Sequence, residues 1–351
     1  QENLRQPFSD MHSELSAEKL IDLAFSRASK KEKTFPKNIP PTVKVKQKEA
    51  ARVTSVGQLL ADRLMKTVKE TPKIDEIHPF YKELADVLVG VVKLKKSLGA
   101  LNWAAKMVDD LAYRYTKRIN YAKTINDAAN LRKEAYGRIA SIIKQISKDL
   151  DFLREAQDKL LAIPSIDTEM ITIVVAGYAN TGKSTFVRQV STAKPEIAAY
   201  PFTTKEINLG HRNTSYGRCQ IIDTPGLLDR PLNERNKIEL QSIIALKYLA
   251  DGIVFMTDPS ETCGYPFSRQ LNLYKEILKE FSDIPIIKVL NKIDLANKTK
   301  IEKAKQEIGG DSFEAISSQN IGVKEIFEEA VKKAAARKTN LQQLHSSNLY
   351  P

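Results

Sequence analysis

Ile171–Thr185 reads ITIVVAGYANTGKST, a Val- and Ile-rich run followed by a glycine-bounded loop and a Lys-Ser-Thr triplet. The run is too short for a buried helix, and its β-branched residues suit a strand covered on both faces. GYANTGKST, Gly177 to Thr185, fits G-x-x-x-x-G-K-[ST] and stands between that strand and a helical stretch. In that context the pattern has a mechanism. The glycines let the backbone N–H groups of Gly177, Tyr178, Ala179, Asn180, Thr181 and Gly182 turn inward on phosphate oxygens, and the helix N-terminus adds its positive end. Lys183 reaches the β and γ oxygens as a point charge. Ser184 offers a hydroxyl to magnesium, and Thr185 completes the motif. A phosphate-binding α/β fold follows from this stretch.

Downstream, CQIID, GIVFMTD and IPIIKVLNK repeat the short apolar pattern, with helical stretches between most of them. Strands alternating with helices predict a mostly parallel sheet flanked by helices, over residues 168–335. DTPG ends the CQIID strand. Asp223 is expected to hold magnesium through water, and the Gly226 N–H to sense the γ-phosphate. Within YPFTTKEINLG, Thr203 and Thr204 fall where a mobile loop could bring a second hydroxyl to the metal, and Thr204 is the expected one. The alternative is that both threonines only begin the next strand. NKID supplies Asn291, Lys292 and Asp294. A carboxylate at Asp294 accepts from the N1–H and exocyclic amine of guanine, a donor pair that adenine lacks. AISSQN follows one helix later, and Ser317 and Ser318 could meet the guanine carbonyl through backbone N–H groups. GTP or GDP with magnesium is the expected ligand set.

DTPGLLDRP also raises a difficulty. Where a water-orienting glutamine would follow the glycine, the chain has Leu227 and Leu228. One reading is a slow hydrolase that needs a partner. Another places a potassium ion on the Asn180 amide, against the β and γ phosphates, taking over the charge-stabilising part of an arginine finger. Asn180 could equally do no more than hydrogen-bond its own loop. The expected catalytic set is Lys183, Thr204, Gly226 and Asn180.

Upstream of Ile171 the period is helical throughout. Leu20, Leu23 and Ala24 follow an N-cap candidate at Ser16. Val53, Val56, Leu59, Leu60, Leu64 and Val68 recur at threes and fours, as do Ile139, Ile142, Ile143, Ile146, Leu150 and Leu153. These stripes predict a helical bundle. KKEKTFPKNIPP reads as a linker, with helix resuming near Lys48, and two helices are expected to meet near Gly99. The charge is uneven. Residues 1–165 hold 31 lysines and arginines against 21 aspartates and glutamates, whereas residues 166–351 hold 24 against 22. A first half at +10 beside a second at +2 suits a polyanion partner for the helices, although a solvated charged surface would read alike. Lys117, Arg118, Lys123, Arg132, Lys133, Arg138 and Lys144 are expected to be exposed. The reading therefore divides the chain into a flexible N-terminus (1–15), a basic all-helical RNA-binding domain (16–165), the nucleotide domain (168–335) and a polar tail (336–351).

The apolar share of 42% is that of a globular chain. No apolar run approaches the ~18 residues a membrane span needs. QENLRQPFSDMHSEL has no apolar core and is read as carrying no signal peptide. Cys219 and Cys263 lack any metal or redox spacing and are expected to be buried free thiols in a reducing cytoplasm.

DEIHPFY at 75–81, YGRIASIIKQ at 136–145, IPSID before the first strand, then GYANTGKS, YPFTTKEINLGH, DTPGLLDRPLNERN and NKID together carry a resemblance. The chain resembles the nucleolar GTP-binding protein family, a branch of the Obg-like class of TRAFAC GTPases, over residues 16 to 335. In that class the position after DTPG is commonly hydrophobic, and an asparagine like Asn180 is what cation-dependent members of the wider TRAFAC group use. The resemblance implies a GTPase that acts in assembly of the large ribosomal subunit. Its helical domain would lie on ribosomal RNA of a large-subunit precursor. The chain ends soon after the nucleotide domain, which is similar to a compact archaeal member, cytoplasmic and monomeric, with no membrane association. A signalling or trafficking GTPase working through protein partners is the alternative.

Overall fold

The computed structural model describes residues 5–30, 39–201 and 206–347. They divide into two compact units. One holds Pro7–Ile77 and Leu88–Leu161, the other His78–Val87 and the chain from Ala162 onward.

The first unit is helical. It comprises α1 (Ala17–Lys30), α2 (Pro41–Glu70), α4 (Val91–Asn120), α5 (Ile125–Gln145) and α6 (Ser147–Leu161), while α3 (Pro79–Val89) falls mainly in the other unit. Leu60, Leu64, Ile139 and Ile143, all from the apolar stripes, are fully buried, as are Leu101 and Val108 of α4. α2 and α4 approach closely where Gly57 meets Ala112: a Cβ on Gly57 would stand 2.3 Å from the Ala112 Cβ. α5 opens on a reciprocal cap, with the Thr124 hydroxyl accepting from the Asp127 N–H and the Asp127 carboxylate from the Thr124 N–H.

Several expectations change here. α2 begins at Pro41 and not near Lys48, because proline is at home in a first helical turn; residues 31–38 of the expected linker lie outside the described residues. The helix break stands at Gly90, whose φ of +79° no side-chain-bearing residue holds cheaply, while α4 runs unbroken through Gly99. The expected flexible N-terminus does not hold for Pro7–Leu15. Phe8, Met11 and Glu14 are buried, the Gln157 amide donates to the Met11 carbonyl at 2.6 Å, and Arg63 Nε donates to the Glu14 carboxylate at 2.9 Å. Of the basic residues expected outside, Arg132 is half-buried and ion-paired with Glu49.

The second unit is built on a seven-stranded sheet in the order β2-β3-β4-β1-β5-β6-β7. Its strands are β1 (Ile171–Ala176), β2 (Glu196–Ala198), β3 (Ile207–Thr214), β4 (Gly217–Asp223), β5 (Gly252–Thr257), β6 (Ile286–Asn291) and β7 (Phe313–Ala315). All neighbours are parallel except the β2-β3 and β3-β4 pairs, which are antiparallel. Alternation along the strands sorts the two faces. Ile173, Val175, Val254 and Met256 pack with α7 (Lys183–Val190) and α11 (Val323–Ser347). Phe255 meets Tyr274 of α9 (Phe267–Glu280), at 5.3 Å between rings, and Leu290 packs with α9 and α10 (Lys298–Ile308). The remaining helix, α8 (Lys237–Leu249), opens on Asn236 with a reciprocal cap. The expected polar tail from 336 onward continues α11 as far as Ser347. Cys219 and Cys263 are free and buried.

Tyr81 and Ile166, from DEIHPFY and IPSID, bond to each other. The Tyr81 hydroxyl donates to the Ile166 carbonyl at 2.8 Å and accepts from its N–H at 2.9 Å. Burial pushes the Tyr81 hydroxyl up to about 12. No helix among the described residues is long and apolar enough to cross a membrane.

Candidate nucleotide-binding site

Strand order reverses at β1, with β4 on one side and β5 on the other. Open parallel sheets bind ligands beyond the carboxyl ends of their strands at such a point. The ends of β1, β4, β6 and β7 bring four of the sequence motifs to this edge: Val175 lies beside Asp223, and Asn291 beside Ala315.

The loop from Gly177 to Gly182 connects β1 to α7. The Lys183 side chain lies in it, donating to the carbonyls of Gly177 at 2.8 Å and Tyr178 at 2.7 Å. The Thr181 hydroxyl donates to the Tyr178 carbonyl at 2.9 Å, which closes the turn from inside. Asn180 stands at the exposed crown with φ +61°. Thr185 follows in the first turn of α7, and Ala179 is half-buried. Tyr178 does more than present its backbone. Its ring packs against Tyr265 at 4.3 Å between centroids.

Asp223 is fully buried. Its Oδ2 accepts from the Ser184 hydroxyl and from Asn208 Nδ2, the latter at 3.1 Å. Its Oδ1 is buried and has no hydrogen-bond partner among the described residues. A buried carboxylate oxygen left without a donor, beside a hydroxyl and at the edge of a phosphate cradle, is the donor set of a hard divalent cation that keeps most of its waters. The residues fit magnesium. Thr203 and Thr204 lie outside the described residues. Tyr200, just before them, is anchored: its buried hydroxyl donates to the Ser242 carbonyl at 2.9 Å, and burial raises its pKa.

At the other end of the site Asn291 is buried and turned toward the cradle. Its amide nitrogen donates to the Thr181 carbonyl at 2.8 Å and to Ser317 Oγ at 2.9 Å, and its oxygen accepts from the Ser317 N–H at 2.9 Å. Gly182 lies against this junction, where an added Cβ would meet Asn291 Nδ2 at 2.2 Å. Lys292 adopts φ +58° and its ammonium reaches the Asp258 carboxylate at 3.2 Å. Hydrogen bonds from Ser260 and Thr262, with the Lys292 charge, hold the Asp258 pKa below its usual range despite burial, which is the largest single influence and acts the other way. Asp294 and Ser318 are exposed.

Between these ends, Gly226 to Arg235 form a compact loop. The Gly226 N–H donates to Asp229 Oδ2 at 2.8 Å. Arg235 donates to the carbonyls of Gly226 at 2.5 Å and Leu227 at 2.6 Å, and to Asp229 Oδ1 at 3.1 Å. Leu227 and Leu228 are buried, and the Leu228 carbonyl accepts from the Gly177 N–H at 3.0 Å.

Residues 8–167 match the profile of the NOG1 N-terminal helical domain, and residues 237–294 match that of nucleolar GTP-binding protein 1 (NOG1). An uncharacterised protein of Methanocaldococcus jannaschii is 42% identical over 84% of this chain and 83% of its own length. Nucleolar GTP-binding protein 1 of Drosophila melanogaster is 35% identical over 83% of this chain and 45% of its own length. The chain belongs to the nucleolar GTP-binding protein 1 family. It spans less than half of the Drosophila relative. A solved structure from Plasmodium falciparum, described as nucleolar GTP-binding protein 1, shares 31% identity over 53% of this chain and 97% of that one, with a TM-score of 0.46.

For a member of this family, the residues that sequence reasoning passed over are Asn208, Arg235 and Asn291 in its bridging role, whereas Asp229 and Arg230 stood out in the sequence as candidates for rearrangement near the terminal phosphate, with no geometry fixed. DRPLNERN drew attention as a run, yet nothing in it marks Arg235 as the buried member. Asn208 has no local signal, because β3 brings it opposite Asp223 only through antiparallel pairing.

Proposed function

We propose that the chain binds GTP and hydrolyses it slowly, as a switch in assembly of the large ribosomal subunit, with its helical unit on ribosomal RNA. The observation that carries the nucleotide reading is the buried Asp223 oxygen, without a partner among the described residues, beside Ser184 at the mouth of the 177–185 loop. An uncompensated buried carboxylate oxygen is costly unless a cation uses it. Ser184 and Asp223 would hold magnesium, which would supply neutralisation of phosphate charge there. The Lys183 ammonium moves from the loop carbonyls to the β and γ oxygens. Tyr178 to Gly182 present the N–H cradle, the Gly177 N–H being taken by the Leu228 carbonyl and so not available to phosphate as the sequence suggested, and the Gly226 N–H meets the terminal phosphate. Asp294, exposed beyond β6, pairs with the guanine edge, with Ser317 and Ser318 beside it. Asn291 orients this end by tying the cradle to Ser317. Thr204 gives the second hydroxyl to magnesium.

Leu227 and Leu228 are packed inward, so the side chains after Gly226 hold no water. This supports a reading in which intrinsic hydrolysis is slow and is stimulated by a partner, with potassium on the exposed Asn180 amide proposed as the charge-stabilising cation. The RNA reading is supported by the basic first half and by one face of α4. There Trp103, Met107 and Tyr113, with Tyr121 at the C-cap that follows, are exposed among Arg114, Lys117 and Arg118.

Sedimentation of the full chain with large-subunit particles tests this function. The expected result is co-migration with non-hydrolysable GTP, release with GDP, and weakening by salt. Migration as a free protein in both nucleotide states would remove the ribosome from the proposal and leave nucleotide binding to stand alone.

A further inference from the structure

The Gly226 N–H is the donor that a terminal phosphate needs, and here it donates to the Asp229 carboxylate at 2.8 Å. That carboxylate is held from behind. Its other oxygen accepts from Arg235 at 3.1 Å, and the Arg235 side chain is 1% exposed. Arg235 also binds the carbonyls of Gly226 and Leu227, so the loop keeps its shape without the bond between Asp229 and Gly226. That bond is the replaceable one. Asp229 can release the N–H and remain paired with Arg235.

We propose that Asp229 is a built-in competitor for the terminal phosphate at the Gly226 N–H, and so a residue that sets the ratio of triphosphate to diphosphate affinity. The proposal rests on the reading of the cradle as a guanine-nucleotide site. A carboxylate oxygen and a phosphate oxygen are both anionic acceptors. One N–H serves one of them well, and two anions on one donor repel. A diphosphate leaves the N–H to Asp229. A triphosphate must displace the carboxylate, and loss of the terminal phosphate returns it. The displacement has a route outward. Arg235 immediately precedes Asn236, the N-cap of α8, and Arg230 pairs with Glu239 in the first turn of that helix at 2.8 Å. These contacts place the start of α8 beside the exchange.

The test is titration of the full chain, with magnesium present, by GDP and by GTPγS, in the parent and in Asp229→Asn and Asp229→Ala. Asparagine keeps a partner for Arg235 but removes the competing charge; alanine removes the acceptor. The affinity ratio is expected to move toward the triphosphate by about tenfold, the scale of one charge-assisted hydrogen bond. Amide NMR of the GDP form supplies a second readout: the Gly226 resonance lies downfield in the parent and moves upfield in Asp229→Asn. An unchanged ratio, a ratio moved toward GDP, or an unmoved Gly226 resonance overturns the proposal. A parent chain that binds neither nucleotide sinks the nucleotide reading itself, a result distinct from these.

Discussion

Asp294 and Asn291 belong to one tetrapeptide and do different work. Asn291 is buried in a three-bond junction between the cradle and Ser317, whereas Asp294 is exposed at the rim. Substitution of Asp294 therefore leaves the scaffold intact and changes only the groups offered to a base. Asp294→Asn replaces an acceptor pair with one donor and one acceptor, which suits xanthine. GDP affinity is expected to fall by at least about tenfold, the scale of a lost charge-assisted bond, while xanthosine diphosphate gains. Unchanged GDP affinity in that variant would remove Asp294 from the site. Asn180 carries a second expectation at this scale. Its amide stands at the exposed crown of the loop, so GTP turnover in potassium chloride should exceed that in sodium chloride at matched ionic strength, and Asn180→Ala should abolish the difference. Equal rates in the two salts of the parent would leave Asn180 with only its loop.

At the scale of elements, the glycines of the α3–α4 stretch show where local reading succeeds and where it stops. Periodicity found both helices, because the apolar stripe survives any choice of break. It put the break at Gly99, whereas the chain turns at Gly90, where φ is +79°. Both glycines interrupt similar sequence, and only the backbone conformation separates them. Exchange for alanine does so by experiment. Gly99→Ala, in open space on a regular helix, should stabilise the chain by up to about 1 kcal/mol, and Gly90→Ala should destabilise it by about 1–2 kcal/mol. Urea midpoints of the two variants moving in the same direction would contradict this. The same distinction governs the site. The cradle, DTPG and NKID were legible because each is a contiguous run whose spacing states its chemistry. Asn208 on Asp223, and Arg235 on the Gly226 carbonyl, were not, since pairing register and burial bring them there. The packed Pro7–Leu15 segment escaped for a related reason: Phe8, Met11 and Glu14 follow no period, and their partners Gln157 and Arg63 lie far along the chain.

For the whole molecule, the excess of basic groups in the first 165 residues acquires direction on α4. Trp103, Tyr113 and Tyr121 are 43%, 59% and 87% exposed. With Arg114, Lys117 and Arg118 they mark a face about 27 Å long at ~1.5 Å per residue. The Lys117 ammonium sits 4.4 Å from the centre of the Tyr113 ring. Charge alone would suit any polyanion. Aromatic rings exposed among the charges suit unpaired bases, which stack on them while their phosphates meet the cations. The two contributions separate under salt. Lys117→Ala combined with Arg118→Ala should flatten the dependence of log affinity on log salt, by about 0.7 for each phosphate of a single strand that is no longer neutralised. Tyr121→Ala should weaken binding by about 1–3 kcal/mol per unstacked base and leave the slope unchanged. Anisotropy titrations of a single-stranded and a duplex RNA at several salt concentrations measure both. Duplex bound as tightly as single strand, with no effect of Tyr121→Ala, would reduce this face to an electrostatic one.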